Sequence, residues 1–80
     1  MRVSVKLYAT LRRFAPLGTA IGDAFDVQLE GSTVSDLIQQ LKIKIESAKI
    51  IMINGIRILD LHTRLNEDDL VVIFPPVGGG

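Results

Sequence analysis

Apolar and polar positions alternate at the start of the chain and again about twenty residues later. This alternation has the period of a strand with one buried face, and it covers residues 3–8 and residues 25–30. Residues 9–15 between them predict a short helical connection, which Pro16 and Gly18 bring to an end. Because the two strands lie close together in sequence, they are predicted to pair antiparallel.

A helix is predicted after Thr33. This residue is well suited to cap a helix N-terminus, and Asp36 places a carboxylate in the first turn, where the helix dipole favours it. Apolar residues then recur at helical spacing and predict one buried face, made of Val34, Leu37, Ile38, Leu41 and Ile45.

The second half of the chain predicts three more strands. Residues 50–53 are short and β-branched, which favours a strand although they do not alternate. The Asn54-Gly55 pair predicts a tight hairpin, because both residues tolerate positive φ, and residues 56–59 form the returning strand. An acidic turn at residues 66–69 is predicted to be solvated.

The last strand, residues 70–74, is a continuous apolar run. Such a strand needs cover on both faces and is predicted to lie in the middle of the sheet, ending where Pro75 and Pro76 cannot donate backbone hydrogen bonds. One helix covers one face, so alternate side chains should leave an apolar strip towards solvent, which often marks a partner site. Ordinary surface hydrophobes are the alternative interpretation. The two candidate sets are Val71 with Ile73, and Leu70 with Val72 and Phe74.

Composition narrows the class of protein. The 80 residues suit one domain, and 48% hydrophobic content is enough for a single core. Nine basic and nine acidic side chains cancel, so neither nucleic-acid binding nor a membrane partner is expected. There is no cysteine, and no segment reads as a signal peptide or a transmembrane helix, which predicts a cytoplasmic protein.

Candidate catalytic residues are few. His62 is the one histidine, and without a second histidine or a cysteine it cannot anchor the usual zinc site. Glu67, Asp68 and Asp69 lack the ligand spacing of a calcium-binding loop. No metal site and no free-standing catalyst are therefore expected.

The C-terminal residues carry the most distinctive pattern. The sequence predicts a domain over residues 1–75 and a flexible tail over residues 76–80. Pro75 and Pro76 stiffen the segment between the domain and the glycines, so that the glycines project. Three glycines can enter a narrow channel, and the carboxylate of Gly80 is ionised and a poor electrophile at neutral pH, so its reaction would require activation, for example by adenylation. A frayed end or an expression scar is the alternative. The full run is Phe74-Pro75-Pro76-Val77-Gly78-Gly79-Gly80.

These features together resemble the MoaD/ThiS family of ubiquitin-like sulfur carriers, and within it the small subunits of molybdopterin synthase. The resemblance covers essentially the whole chain and is most specific in Phe-Pro-Pro-Val followed by glycines. The sequence departs from the family pattern at Asp68, where the family often has glycine. This difference affects only the conformation of the turn. Its weaker parts are Val5-Lys6-Leu7-Tyr8-Ala9 with Leu11-Arg12, Thr33-Val34-Ser35-Asp36-Leu37, Ile53-Asn54-Gly55, Leu65, Asp69 and Val71.

The resemblance implies an α+β protein with the β-grasp (ubiquitin-like) fold, a mixed five-stranded sheet packed on one main helix. It implies a carrier that holds no permanent cofactor: a MoeB-like enzyme uses ATP to adenylate Gly80, and a sulfur donor converts the adenylate to a thiocarboxylate. The carrier then docks on a MoaE-like large subunit and gives its sulfur to a cyclic pterin precursor of the molybdenum cofactor. Gly78 and Gly79 would give access to the partner's active site, and the docking residues would be Tyr8, Val72, Phe74, Pro75, Pro76 and Val77.

Other functions use the same tail. The chain could be a protein modifier attached to lysines, a sulfur carrier for tRNA thiolation or thiamin biosynthesis, or an interaction module without acyl chemistry. Sequence alone leaves these alternatives open.

Overall fold

The structure is a computed structural model that describes residues 1–76. Within these residues, one α-helix accompanies five strands. Two short 3₁₀ helices, Ala9–Phe14 and Ile45–Ser47, lie in the connections. The elements are β1 (Arg2–Leu7), β2 (Phe25–Gln28), α1 (Val34–Gln40), β3 (Ile50–Ile53), β4 (Ile56–Ile58) and β5 (Leu70–Phe74).

All five strands form one mixed sheet in the order β2-β1-β5-β3-β4. The first two strands pair antiparallel, as predicted. The last strand lies in the middle, parallel to β1 and antiparallel to β3, which confirms the position expected from its continuous apolar sequence. It ends at Phe74, directly before the two prolines, also as predicted.

Helix α1 covers one face of this sheet, here called the inner face. The alternate residues Val71 and Ile73 of β5 are fully buried there, and the opposite set therefore lies on the outer face. The core between helix and sheet has no disulfide to support it. Its members with no exposed surface are Val3, Val5, Val34, Leu37, Ile38, Val71 and Ile73.

The predicted start of the helix is confirmed in detail. The Thr33 side chain accepts a hydrogen bond from the Asp36 N–H, and the Asp36 carboxylate accepts from the Thr33 N–H, which is a complete capping box. Asp36 also accepts from the Ser32 N–H at 2.9 Å. The backbone N–H groups of Ser32 and then Thr33 lower the pKa of this carboxyl, because they stabilise its charged form.

The prediction that the apolar face of the helix continues to Ile45 is wrong. The helix ends at Gln40, and Lys42 adopts a left-handed conformation with φ of 64°. The Ile43 N–H bonds back to the Ile38 carbonyl at 3.1 Å, closing a Schellman-type end. Because the chain turns here, Ile43 enters the core and Ile45 is left 50% exposed in the second 3₁₀ helix.

The hairpin between β3 and β4 follows its prediction. Asn54 and Gly55 have φ of 51° and 84°, the signs that a type I′ turn requires. The side chain of Asn54 also reaches the turn before β5: its amide donates to Asp69 Oδ1 at 2.9 Å, and its Oδ1 accepts from the Leu70 N–H at 2.9 Å.

The acidic turn is only partly the solvated loop that was predicted. Asp69 is buried, with 8% of its surface exposed, and also accepts from the Asn66 N–H at 2.8 Å. The prediction failed here because the partner amide comes from the hairpin fifteen residues earlier. Glu67 and Asp68 are exposed as expected, and Asp68 has φ of 67°, a conformation that favours glycine.

Candidate functional site: the outer sheet face and the base of the tail

The outer face of the sheet carries a line of apolar side chains along its central strand. Leu70, Val72 and Phe74 are all partly exposed there, and we call them the apolar strip. Strand β3 extends it on one side, since Ile50 lies opposite Phe74 and Met52 opposite Val72. An apolar strip towards solvent is what the single helix and the alternation of β5 predicted.

Phe74 is held at the end of this strip by an aromatic stack. The rings of Tyr8 and Phe74 lie 4.8 Å apart between centroids and 13° from parallel. The Tyr8 N–H donates to the Ile73 carbonyl at 3.3 Å, which continues the parallel pairing beyond β1. Ala9 then turns the chain away with φ of 52°, so Tyr8 stays on the sheet beside Phe74.

The base of the tail, Pro75 and Pro76, follows directly after this stack. The Lys49 N–H donates to the Phe74 carbonyl at 2.9 Å, the last backbone hydrogen bond of β5. Pro75 is partly exposed and Pro76 is exposed, and neither has an N–H to extend the sheet. The chain therefore leaves the sheet at the end where the apolar strip terminates.

The structure thus brings five of the predicted site residues to one region. These are Tyr8, Val72, Phe74, Pro75 and Pro76. The remaining ones, Val77, Gly78, Gly79 and Gly80, lie outside the described residues.

Sequence reasoning missed the contribution of β3 to this surface. Four consecutive apolar residues, Ile50–Ile53, gave no alternation from which a face could be assigned. A signal was present in the next strand, because a two-residue hairpin places Met52 opposite Arg57. Arg57 is the one charged residue in β4, and it marks that pair as facing outward.

The remaining candidate residue, His62, lies apart from this surface. His62 is exposed, and its backbone N–H donates to Asp60 Oδ1 at 2.8 Å. Among residues 1–76, no three histidine, aspartate or glutamate side chains are grouped as a metal ion would need. Nor does any helix in that part of the chain have the length and apolarity to cross a membrane.

A second surface feature, lined by both apolar and charged residues, lies near the β3–β4 edge. It is an open groove of about 340 Å³ beside the second 3₁₀ helix, on the side of the sheet to which Ile51 and Ile58 point. Among residues 1–76, none of the predicted site residues lines it, but Lys49, whose N–H donates to the Phe74 carbonyl, does. The groove therefore lies beside the point where the chain leaves β5.

A small α+β domain with a mixed sheet, one covering helix and an apolar face that leads to its C-terminal residues is a β-grasp, ubiquitin-like protein. Three solved structures share this fold over nearly the whole chain. SAMP1 from Haloferax volcanii is 23% identical with a TM-score of 0.69, and both chains are fully covered. A putative molybdopterin converting factor subunit 1 from Pyrococcus furiosus is 28% identical with a TM-score of 0.67, over 95% of this chain and 98% of that one. A complex of subunits 1 and 2 of molybdopterin-converting factor from Helicobacter pylori matches at 22% identity and a TM-score of 0.64, with both chains fully covered.

The sequence profile of the ThiS family matches residues 5–80. The chain belongs to this family of small, ubiquitin-like sulfur carriers. A search of curated protein sequences finds no match.

Proposed function

We propose that this protein is the sulfur-carrying small subunit of a molybdopterin synthase. The observation that carries the proposal is the apolar strip, which runs along the outer face and ends at Phe74, directly before the prolines that lead to the glycines. A partner that covers the strip would receive the chain end in its own active site. The Pyrococcus furiosus relative, a putative subunit 1 of molybdopterin converting factor, supports this assignment.

The chemistry follows from the tail sequence. An ATP-dependent activating enzyme adenylates the carboxylate of Gly80 and releases pyrophosphate, and a sulfur donor then displaces AMP to leave a thiocarboxylate. Gly78 and Gly79 present no side chain to the walls of the partner's active site. Ordering each of them on binding costs about 1–2 kcal/mol of backbone entropy, so the partner has to supply hydrogen bonds along the tail.

The acceptor is a cyclic pterin precursor held by a large subunit that docks on the outer face. The Helicobacter pylori structure contains a subunit 1 in complex with a subunit 2, and we propose the same kind of partnership here. Tyr8, Val72 and Phe74 would lie in that interface, and Pro75 and Pro76 would lie at its edge.

Intact mass measurement tests the proposal. The protein is incubated with a MoeB-like enzyme, ATP and a sulfur source, and we expect one terminal oxygen to be replaced by sulfur. A variant lacking Gly78, Gly79 and Gly80, whose terminal carboxylate belongs to Val77, is the matched control and should not be converted efficiently. The converted protein, mixed with the large subunit and the pterin precursor, should return to its original mass as dithiolene forms. Failure to gain sulfur would refute the proposal, and lysine-linked adducts in cells would favour a protein modifier instead.

A further inference from the structure

Two cations flank the apolar strip at the same level of the outer face. Lys6 of β1 lies opposite Val72, Val72 lies opposite Met52 of β3, and Met52 lies opposite Arg57 of β4. Directly paired residues point to the same side of a sheet. The four side chains therefore form one row across the sheet, here called the charged row: cation, two apolar residues, cation.

The length of this row follows from the sheet geometry. Neighbouring strands lie about 4.8 Å apart, so three strand spacings separate the Cα atoms of Lys6 and Arg57 by about 14 Å. Two apolar side chains fill the interval. This is the width of a contact made by one helix or one pair of strands of a partner, since a helix with its side chains is about 10–12 Å across.

Within residues 1–76, neither cation lies within ion-pair distance of an acidic side chain. Among residues 1–76, the acid–base contact within ion-pair distance is Arg2 with Asp68 at 3.1 Å, at the end of the sheet away from the tail. Asp26 also lies on the outer face, but it faces Ser4, whose hydroxyl donates to it at 3.2 Å. Lys6 and Arg57 are therefore available for an external partner.

The two cations differ in how much of them water reaches. Arg57 is exposed, whereas Lys6 is only partly exposed among the neighbouring strands. A partner that covers Val72 and Met52 would remove water from both charges, and an uncompensated charge in a dry interface is costly. Opposite charges of the partner at the two ends of the row would offset this cost.

We propose that the partner surface docking on the outer face presents two carboxylates, one at Lys6 and one at Arg57, on either side of an apolar ridge that packs on Val72 and Met52. The inference rests on the proposed function, because it describes the large subunit's side of that interface. It adds a specificity element: the two charge pairs set the lateral position of the partner, and hence the direction in which the tail enters it.

Charge reversal tests the inference on the intact chain. Titration calorimetry with the large subunit would compare Lys6→Glu, Arg57→Glu and the double variant with the unaltered protein. Each single reversal should weaken binding about tenfold or more, as for close interfacial charge pairs. Raising the salt concentration should weaken the unaltered protein more than the double variant. Lys44→Glu, an exposed lysine off the sheet, is the matched control and should bind normally.

Zero-length carbodiimide coupling locates the carboxylates directly. In the complex, the Lys6 amine should become joined to an aspartate or glutamate of the large subunit, identified by peptide mass. The conservative variant Arg57→Lys should retain binding and gain a second link, and Lys44 should gain none. Because these readouts use folded, binding-competent protein, they do not depend on whether the reversed variants remain stable.

The outcomes separate this inference from the function on which it rests. Sulfur transfer is measured on the same variants. If the reversed variants bind normally and Lys6 forms no link, the proposed pair of partner carboxylates is refuted, while the sulfur-carrier function stands. If the unaltered protein neither gains sulfur nor binds the large subunit, the proposed function fails and the inference fails with it.

Discussion

The stack between Tyr8 and Phe74 should couple the two residues energetically in the free domain. Their rings are 4.8 Å apart and nearly parallel, and an aromatic pair of this kind contributes about 0.5–1.5 kcal/mol beyond the area it buries. The experiment is a double-mutant cycle with Tyr8→Ala, Phe74→Ala and the combined variant, each unfolded in urea.

The single variants mix several effects, which the cycle separates. Phe74→Ala also places a poor strand former in the central strand and uncovers Ile50 and Val72, so its own cost should be about 2–3 kcal/mol. These contributions appear in both arms of the cycle that change Phe74 and cancel. The coupling free energy that remains is that of the ring–ring interaction, which we expect to be about 1 kcal/mol. For a domain of this size, a free energy of that amount corresponds to a shift of about 4–8 °C in midpoint temperature.

A distant pair supplies the control. Leu70 lies on β5 four residues before Phe74, about 13 Å along the strand, so the cycle Tyr8→Ala with Leu70→Ala should be additive. If Tyr8 and Phe74 are also additive within about 0.3 kcal/mol, the stack does not hold Phe74 in place. Tyr8→Phe keeps the ring and should retain both stability and affinity for the large subunit.

Three further predictions concern the frame that supports the outer face. Lys42→Gly should stabilise the protein by about 1 kcal/mol, because a left-handed residue other than glycine costs about 1–2 kcal/mol, whereas Lys44→Gly, which removes the same charge at φ of −69°, should destabilise it by about 0.5–1 kcal/mol. Asp69→Ala should cost about 2–3 kcal/mol, since it leaves the Asn54 amide and the Asn66 N–H without their charged acceptor. Asp36→Ala should destabilise the protein at neutral pH, and the difference should shrink as the pH falls.

The pH dependence of Asp36 follows from the direction of its shift. The folded protein lowers the pKa of this carboxyl through the Ser32 and Thr33 N–H groups. Its contribution is therefore complete above its ordinary pKa of about 3.9 and is lost as the pH falls through the lower folded value. Urea unfolding at pH 7 and at pH 3 measures the difference. A cost of Asp36→Ala that is the same at both values would contradict the assignment of the cap to the ionised form.

Urea unfolding also tests the predictions for Lys42 and Asp69. Equal signs for Lys42→Gly and Lys44→Gly would show that backbone conformation does not decide their effects. For Asp69→Ala, hydrogen exchange at the Leu70 amide is the additional readout, because Asn54 Oδ1 accepts that N–H. Unchanged exchange there would show that Asp69 does not hold Asn54 in position.

Local pattern was enough to predict most of the elements. Strict alternation identifies β1 and β2, the Thr33 and Asp36 pair locates the start of α1, and the Asn54-Gly55 pair specifies the hairpin. Each of these signals depends on interactions within a few residues, such as a cap hydrogen bond or a turn dihedral. The end of α1 was not predicted, because nothing at Lys42 announces a left-handed conformation that the surrounding contacts impose.

For the candidate site, too, some features follow from the sequence and others only from the tertiary structure. The amino-acid sequence by itself determined the order of the strands along the chain, the central place of the apolar strand, and the proline and glycine residues that identify the family. Tertiary structure alone decided that Ile50 and Met52 extend the apolar strip, that Lys6 and Arg57 stand at equal height on either side of it, and that Asp69 is buried against Asn54. The physical reason is strand register. The hairpin turn encodes the pairing of Met52 with Arg57, but which residues of β1, β5 and β3 lie side by side depends on hydrogen bonds between segments far apart in the chain, and no local pattern encodes those pairings.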